Sequence, residues 1–163
     1  MEESKDDRPG DYDRQSKGQN QGQSRGQMLE QYSKILTEFF ERMSSWEHSV
    51  VQHSEVSLPQ MHLLEVVGNR GKLRMKELSE ILGVTTGTVT VMVYRLEEKG
   101  YVARERDAGD RRSFFVTLTD KGSGEYVKHH KMHHHLIEEI VELLGDKGAE
   151  DFFTKIKEVY RLL

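Results

Sequence analysis

The chain has 163 residues, of which 24 are Lys or Arg, 28 are Asp or Glu and eight are His, so its formal net charge is −4. It contains no cysteine, which excludes disulfide scaffolds, thiolate metal ligands, cysteine nucleophiles and thiol-based redox sensing. No apolar run approaches the roughly 20 residues of a membrane-spanning helix, and the polar, acidic N-terminus is unlike a signal peptide, so we expect a cytoplasmic protein that does not enter a membrane.

Residues 1–26 carry few apolar side chains and include a Gln-, Gly- and Ser-rich run, so they cannot bury enough surface to offset the entropy of folding. We predict a flexible tail there, followed by one domain over residues 27–163. Over residues 28–54 apolar side chains recur at three- and four-residue steps, which predicts a long amphipathic helix. A second helix begins near Pro59, where the missing N–H costs little, and ends at Gly68.

A helix-turn-helix motif is predicted next. A short helix over residues 75–82 ends at Gly83, and Thr85 is a suitable N-cap for a helix over residues 86–99. Two helices separated by about three residues, with a glycine in the turn, are the signature of this motif, and its second helix enters the DNA major groove. The outward residues of that helix are Thr86, Thr88, Thr90, Val91, Tyr94 and Arg95.

Residues 101–104 and 113–118 are typical of strands, and the polar, glycine-containing loop between them suits a β-hairpin. Guanidinium groups on a projecting hairpin are well placed to contact phosphates or a narrowed minor groove. The candidate DNA contacts on this hairpin are Arg104, Arg106, Asp110, Arg111 and Arg112, with Asp110 orienting Arg112. Residues 70–112 hold 10 basic and 7 acidic side chains, so the overall negative charge does not oppose DNA binding.

Two further helices are predicted at the C-terminal end. One runs from about Lys121 to Leu144, Gly145 ends it, and an amphipathic helix follows Gly148. The predicted fold class is therefore mainly α with a small β-hairpin. Its parts are a winged helix-turn-helix lobe at residues 58–119 and flanking helices at residues 28–54 and 121–163.

The stretch from Leu78 to Gly122 resembles the winged-helix core of the MarR family of transcriptional regulators. The most specific part of the resemblance is Asp110-Arg111-Arg112 followed by Leu118-Thr119, which matches the D-x-R wing of the family and the L-T that ends its next strand. The resemblance implies a transcriptional regulator that binds double-stranded DNA, with Asp110 supporting Arg112 and Arg112 probing the minor groove. We expect it to be a repressor, and a two-fold dimer of this kind calls for a pseudo-palindromic operator. The chain departs from many members, which carry a basic residue at the position of Val91.

The resemblance also implies a homodimer in which the N- and C-terminal helices of two chains pack together. Independently, these helices are more apolar than a small winged-helix monomer could cover. Burial of the same apolar stripes in the core of one chain is the alternative that the sequence leaves open. The residues predicted at the dimer interface are Leu29, Tyr32, Leu36, Phe152, Phe153, Ile156, Val159 and Tyr160.

All eight histidines lie outside residues 70–112, the segment with an excess of basic side chains. Five of them are in the run KHHKMHHHL. His129 and His133 are four residues apart on one helical face, which is the spacing at which two imidazoles share a metal ion. Imidazole suits zinc or another divalent transition metal. A zinc-sensing subgroup of the family is similar here, and this similarity implies His62, His129 and His133 as ligands. The carboxylate of that subgroup falls closer to Ser44 in this chain, which leaves Glu47 or His48, on the same helical face, as candidates for the fourth ligand.

Other interpretations stay open at this point. The effector can instead be a small aromatic or amphipathic organic molecule, and the histidines can form a solvated, pH-responsive surface. The cleft for an organic effector would be lined by Phe39, Phe40, Met43, Trp46 and Leu64. A helical protein-interaction module without DNA binding is a further alternative. No H-E-x-x-H motif or phosphate-cradling glycine loop is present, so we expect no enzymatic activity.

Overall fold

The computed structural model describes residues 12–107, 109 and 113–162. The described residues divide into two compact units, one up to residue 46 and one from residue 47 onward. The elements are α1 (Tyr12–Val51), α2 (Leu58–Arg70), β1 (Leu73–Arg74), α3 (Met75–Leu82), α4 (Thr86–Glu98), β2 (Val102–Arg106), β3 (Phe114–Leu118), α5 (Asp120–Val159) and a 3-10 turn (Tyr160–Leu162). This order confirms the predicted fold class. None of the helices in the described part of the chain is long and apolar enough to cross a bilayer.

Helix α1 begins at Tyr12, so residues 12–26, assigned above to a flexible tail, are helical. A helix that has already nucleated extends by one hydrogen bond for each residue added, and Gln, Lys and Arg are good helix formers. The glycines and serines that suggested a tail therefore do not end the helix. Residues 1–11 of the predicted tail lie outside the described residues.

One apolar core holds the second unit together. The fully buried side chains come from helices α2, α3 and α4 and from the sheet, as the hydrophobic periodicity of these segments predicts. They include Leu63, Leu64, Val67, Leu78, Val89, Val93, Leu96, Val102 and Val116. Burial of a Val or Leu side chain contributes about 1.5–3 kcal/mol, so this core is the main source of stability in the unit.

Local hydrogen bonds fix the turn between α3 and α4. Gly83 ends α3 in the left-handed conformation, with φ of 65°, which costs a glycine little because it has no Cβ. Thr85 then caps α4, its hydroxyl oxygen accepting the N–H of Thr88 at 3.1 Å. The predicted helix-turn-helix motif is thereby formed, with α4 ending one residue earlier than expected, at Glu98.

The strands form a three-stranded antiparallel sheet in the order β1-β3-β2, whereas the sequence predicted only the two-stranded hairpin. The additional strand pairs Leu73 with Val116 and Arg74 with Phe115. Because β1 has only two residues, it leaves no alternating pattern of apolar and polar side chains for a sequence-based prediction to detect. It joins the start of α3 to the wing.

Thr119 is the N-cap of helix α5. Its hydroxyl oxygen accepts a hydrogen bond from the Gly122 N–H, and its hydroxyl group donates one to the carbonyl of Gly100. At Gly145 the backbone leaves the helical region, with φ of 68° and ψ of 163°, so the element consists of two helices joined at a kink. This confirms the predicted end at Gly145.

We expect Gly122→Ala to destabilise the protein strongly. A Cβ at this position would lie 1.9 Å from the carbonyl oxygen of Tyr101, so the start of α5 would have to move away from the sheet, at a cost of about 3 kcal/mol. Gly124→Ala is the matched control, because nothing lies within 4 Å of a Cβ there and alanine favours a helix by about 0.5–1 kcal/mol. Urea unfolding of the two variants measures the difference, and equal stabilities would contradict the described packing.

Candidate nucleic-acid interface and metal centre

The outward face of α4 has the composition and exposure of a recognition helix. Its buried side holds Val89, Val93 and Leu96. All six residues predicted to face outward are exposed, namely Thr86, Thr88, Thr90, Val91, Tyr94 and Arg95. A hydrogen bond to the carboxylate of Glu98, one turn further on, raises the pKa of Tyr94. Thr90 donates its hydroxyl to the Thr86 carbonyl.

The arginines of the β2–β3 wing differ in what they contact. Arg104 forms an ion pair with Glu97 of α4, its Nε lying 2.7 Å from a carboxylate oxygen, and therefore ties the wing to the recognition helix. Arg106 is exposed and its guanidinium lies 5.9 Å from the centre of the Phe114 ring. The other predicted contacts, Asp110, Arg111 and Arg112, lie outside the described residues.

Asp107 fixes the base of the wing. Its side chain is nearly buried and accepts a hydrogen bond from Arg74 Nε at 3.1 Å and another from the Gly109 N–H at 2.9 Å. Its own N–H donates to the carbonyl of Ser113, which lies across the loop. The sequence-based prediction missed this role, although an aspartate two residues before a glycine is a pattern typical of a side-chain-capped turn.

Three side chains from two helices converge on one point in the second unit. Nε2 of His129 lies 3.1 Å from Nε2 of His133, and both are on α5. A carboxylate oxygen of Glu65, on α2, lies 3.4 Å from the first nitrogen and 3.8 Å from the second. The ligand atoms of these three side chains all lie within 4.8 Å of one another. In the described part of the chain, they are the His, Asp and Glu side chains that are close enough together to hold a metal ion.

His129 is buried, with only 3% of its surface exposed, and this burial affects its protonation. Loss of solvation lowers its pKa, against the opposing effect of the Glu65 carboxylate, and so favours the neutral imidazole, which is the form that binds a metal ion. Its Nδ1 is buried and has no hydrogen-bond partner in the part of the chain that the structure describes. A buried polar atom of this kind is costly, and such atoms are concentrated at functional sites.

Of the other predicted metal ligands, His62 and Glu47 lie near this group. Nε2 of His62 is 3.9 Å from a carboxylate oxygen of Glu47, and both residues lie close enough to His129 to affect its pKa. His48 is exposed on α1 and does not belong to the three-residue group. The carboxylate that the structure brings to the histidine pair is Glu65, which the sequence-based prediction missed. Its position three residues after His62, on the same helical face, is the signal that points to it.

His129 also lines a cavity of about 720 Å³. Its lining combines apolar side chains, among them Met61 and Met132, with charged ones, among them Lys121 and Glu125. Leu64, predicted to line a cleft for an organic effector, is fully buried in the core and is therefore unavailable for such a role.

Several large apolar side chains are exposed in each unit. On α1, the apolar residues between Met28 and Phe40 are 41–60% exposed. At the end of α5 and in the 3-10 turn, Phe152, Val159 and Tyr160 are exposed, whereas Phe153 and Ile156 are half-buried. Exposed apolar stripes of this length are typical of surfaces that bind another protein chain.

Comparison with known proteins identifies the architecture. A protein-family model for the MarR family matches residues 56–114. The HTH-type transcriptional regulator YfiV of Bacillus subtilis is 27% identical over 133 residues, which are 81% of this chain and 80% of that protein.

Solved structures of similar fold lead to the same architecture. FabT of Streptococcus pneumoniae in complex with DNA is 27% identical and has a TM-score of 0.76, the match covering 82% of this chain and 96% of that one. The transcriptional regulator Tm0710 of Thermotoga maritima is 30% identical with a TM-score of 0.58, over 82% of this chain and 94% of that one. The motif, the wing and these similarities together show that the chain belongs to the MarR family of winged helix-turn-helix proteins and is a DNA-binding transcriptional regulator, not an enzyme or a module without DNA binding.

Proposed function

We propose that the protein is a sequence-specific repressor that binds a pseudo-palindromic operator as a homodimer and responds to an effector. The observation that carries the DNA-binding mode is the exposed face of α4 beside the β2–β3 wing. In this arrangement, residues near the N-terminal end of α4, such as Thr86 and Thr88, reach base edges. Threonine hydrogen-bonds to several bases and contacts the thymine methyl group.

The wing supplies the proposed contacts outside the major groove. Arg106 is exposed at the end of β2, and Arg111 and Arg112 follow it in the sequence before β3 begins. Guanidinium groups there suit phosphates and the narrow minor groove. Arg104 acts instead by holding the wing to α4 through Glu97.

The dimer is supported by the exposed apolar side chains in each unit. An isolated chain would leave the α1 stripe containing Leu29, Tyr32 and Leu36 in water, at a cost of about 25 cal/mol for each Å² of apolar surface. A second copy that covers this stripe, together with the stripe containing Phe152 and Tyr160, removes that cost. Two-fold symmetry then places the two copies of α4 about one turn of DNA apart.

Repression follows from occupancy, since a dimer that covers two half-sites excludes other proteins from the same DNA. Such a regulator acts where the DNA is, which for a bacterial or archaeal protein is the cytoplasm. An effector changes the operator affinity only if it binds differently to the DNA-competent and incompetent arrangements of the protein.

A divalent transition-metal ion is the effector that the observations favour. The buried His129, its partner His133 and the nearby carboxylate provide nitrogen and oxygen ligands suited to zinc. A small organic molecule is the second candidate, and the observation that favours it is the cavity of about 720 Å³ beside His129, a volume within the range of small-molecule sites.

We expect selection from a random duplex library to enrich inverted half-sites whose centres lie about 10 base pairs apart. Affinity for the selected operator is expected to fall steeply with salt, because binding releases counterions from the phosphates. Repeating the measurement with Zn²⁺ and with a chelator is expected to change the operator affinity by about fivefold or more. Binding of every duplex with equal, salt-independent affinity would contradict the proposed function.

A further inference from the structure

We propose that Glu65 is a metal ligand and that it forms, with His129 and His133, a site for one divalent transition-metal ion that joins α2 to α5. The inference rests on the proposed function, in which a metal ion is the effector, and it assigns the carboxylate that binds that ion. It differs from the expectation drawn from the zinc-sensing subgroup, in which the carboxylate comes from α1, at a position closer to Ser44 of this chain.

The spacing of the three ligand atoms fits a four-coordinate ion. Zinc binds imidazole nitrogen and carboxylate oxygen at about 2.0–2.2 Å, so two ligands of a tetrahedral ion lie about 3.3–3.5 Å apart. The observed separations are 3.1 Å between His129 and His133, 3.4 Å between Glu65 and His129, and 3.8 Å between Glu65 and His133. An ion can therefore enter with shifts of a few tenths of an ångström, without movement of either helix.

The chemical type of the three ligands determines which class of metal ion the site favours. Two imidazoles and one carboxylate suit zinc and its neighbours among the transition metals, whereas calcium and magnesium require mainly oxygen ligands. At most one proton can lie between the two facing Nε2 atoms, and a cation that binds both nitrogens replaces it. His62 lies one turn before Glu65 on α2, outside the group whose ligand atoms are all within 4.8 Å of one another.

The position of the site explains how an ion would act on DNA binding. Helix α2 packs against α3 and β3 of the winged-helix lobe, and α5 packs against α2. Beyond Gly145, α5 continues to the apolar residues proposed for the dimer interface. An ion held by Glu65 from α2 and by the histidine pair from α5 would therefore fix the angle between the lobe that reads DNA and the helix that leads to the dimer partner.

The test is a Zn²⁺ titration of the full chain in competition with a chromophoric chelator, with Co²⁺ absorbance reporting the coordination. We expect the parent protein to bind one ion per chain at this site, and Glu65→Gln to lower Zn²⁺ affinity about a hundredfold and to change the Co²⁺ spectrum. Glu47→Gln is the matched control, a half-exposed carboxylate changed in the same way, and we expect a loss of about tenfold or less. Glu65→His is expected to retain binding, because imidazole can replace the carboxylate as a ligand.

The outcomes separate this assignment from the proposed function. If Glu65→Gln binds Zn²⁺ like the parent while His129→Ala does not, the Glu65 assignment is wrong and the metal effector stands. A larger loss in Glu47→Gln than in Glu65→Gln also overturns the assignment. A parent protein that binds no Zn²⁺ overturns both the site and the metal effector, and DNA binding is then judged by operator selection alone. Thermal unfolding of the metal-free variants, followed by circular dichroism, identifies any that fail to fold.

Discussion

Replacement of Leu36 by glutamate is expected to convert the protein into a monomer and to lower its operator affinity by about two orders of magnitude. Leu36 is 54% exposed in the single chain, so the substitution leaves the core unchanged, but a dimer would bury the new charge in an apolar interface, where an unpaired charge is very costly. A monomer binds each half-site separately and loses the gain from linked binding, which is about 10²–10⁴-fold for well-matched geometry.

Sedimentation equilibrium of the free protein and titration of labelled operator measure the two effects. Ser45→Glu is the control, since it adds the same charge on the opposite, polar face of α1, where the residue is exposed. If Leu36→Glu remained a dimer with unchanged DNA affinity, the α1 stripe would not be the dimer interface. If Ser45→Glu had the same effect as Leu36→Glu, the cause would be the charge of α1 as a whole.

The helix-turn-helix could be predicted from the sequence because its determinants are local. Gly83 in the turn and Thr85 at the cap act on neighbouring residues, and the inward positions of α4 recur with the helical period. The kink at Gly145 was likewise predictable from one residue. By contrast, the start of α1 depends on how far a helix extends once formed, and no single residue before Met28 marks that boundary.

The features that the prediction missed depend on contacts between distant segments. Arg74 and Asp107 are 33 residues apart in the chain, and their ion pair forms only because β1 joins the sheet. Glu65 resembles any other glutamate on a half-exposed helix face until α5 brings His129 to within 3.4 Å of it. The i, i+4 histidine pair was predictable because one helix fixes its geometry, whereas its carboxylate partner depended on how two helices pack.

Val91 allows the DNA-binding face to be tested by opposite charges at one position. It is 50% exposed on α4, so neither glutamate nor arginine disturbs the core, and both residues favour a helix. We expect Val91→Glu to lower operator affinity by about a hundredfold, because a carboxylate placed against phosphates costs several kcal/mol.

Val91→Arg is expected to act in the opposite direction. A cation at this position adds a phosphate or base contact in each half-site, and each new phosphate contact steepens the dependence of log affinity on log salt by about 0.9. Titration of the operator with both variants over a range of salt concentrations, with dimerisation checked by sedimentation, separates this effect from folding. If both substitutions changed the affinity in the same direction, the cause would be steric, and α4 would not present this residue to the DNA backbone. Opposite signs with a matching change in salt slope are expected only if Val91 faces DNA.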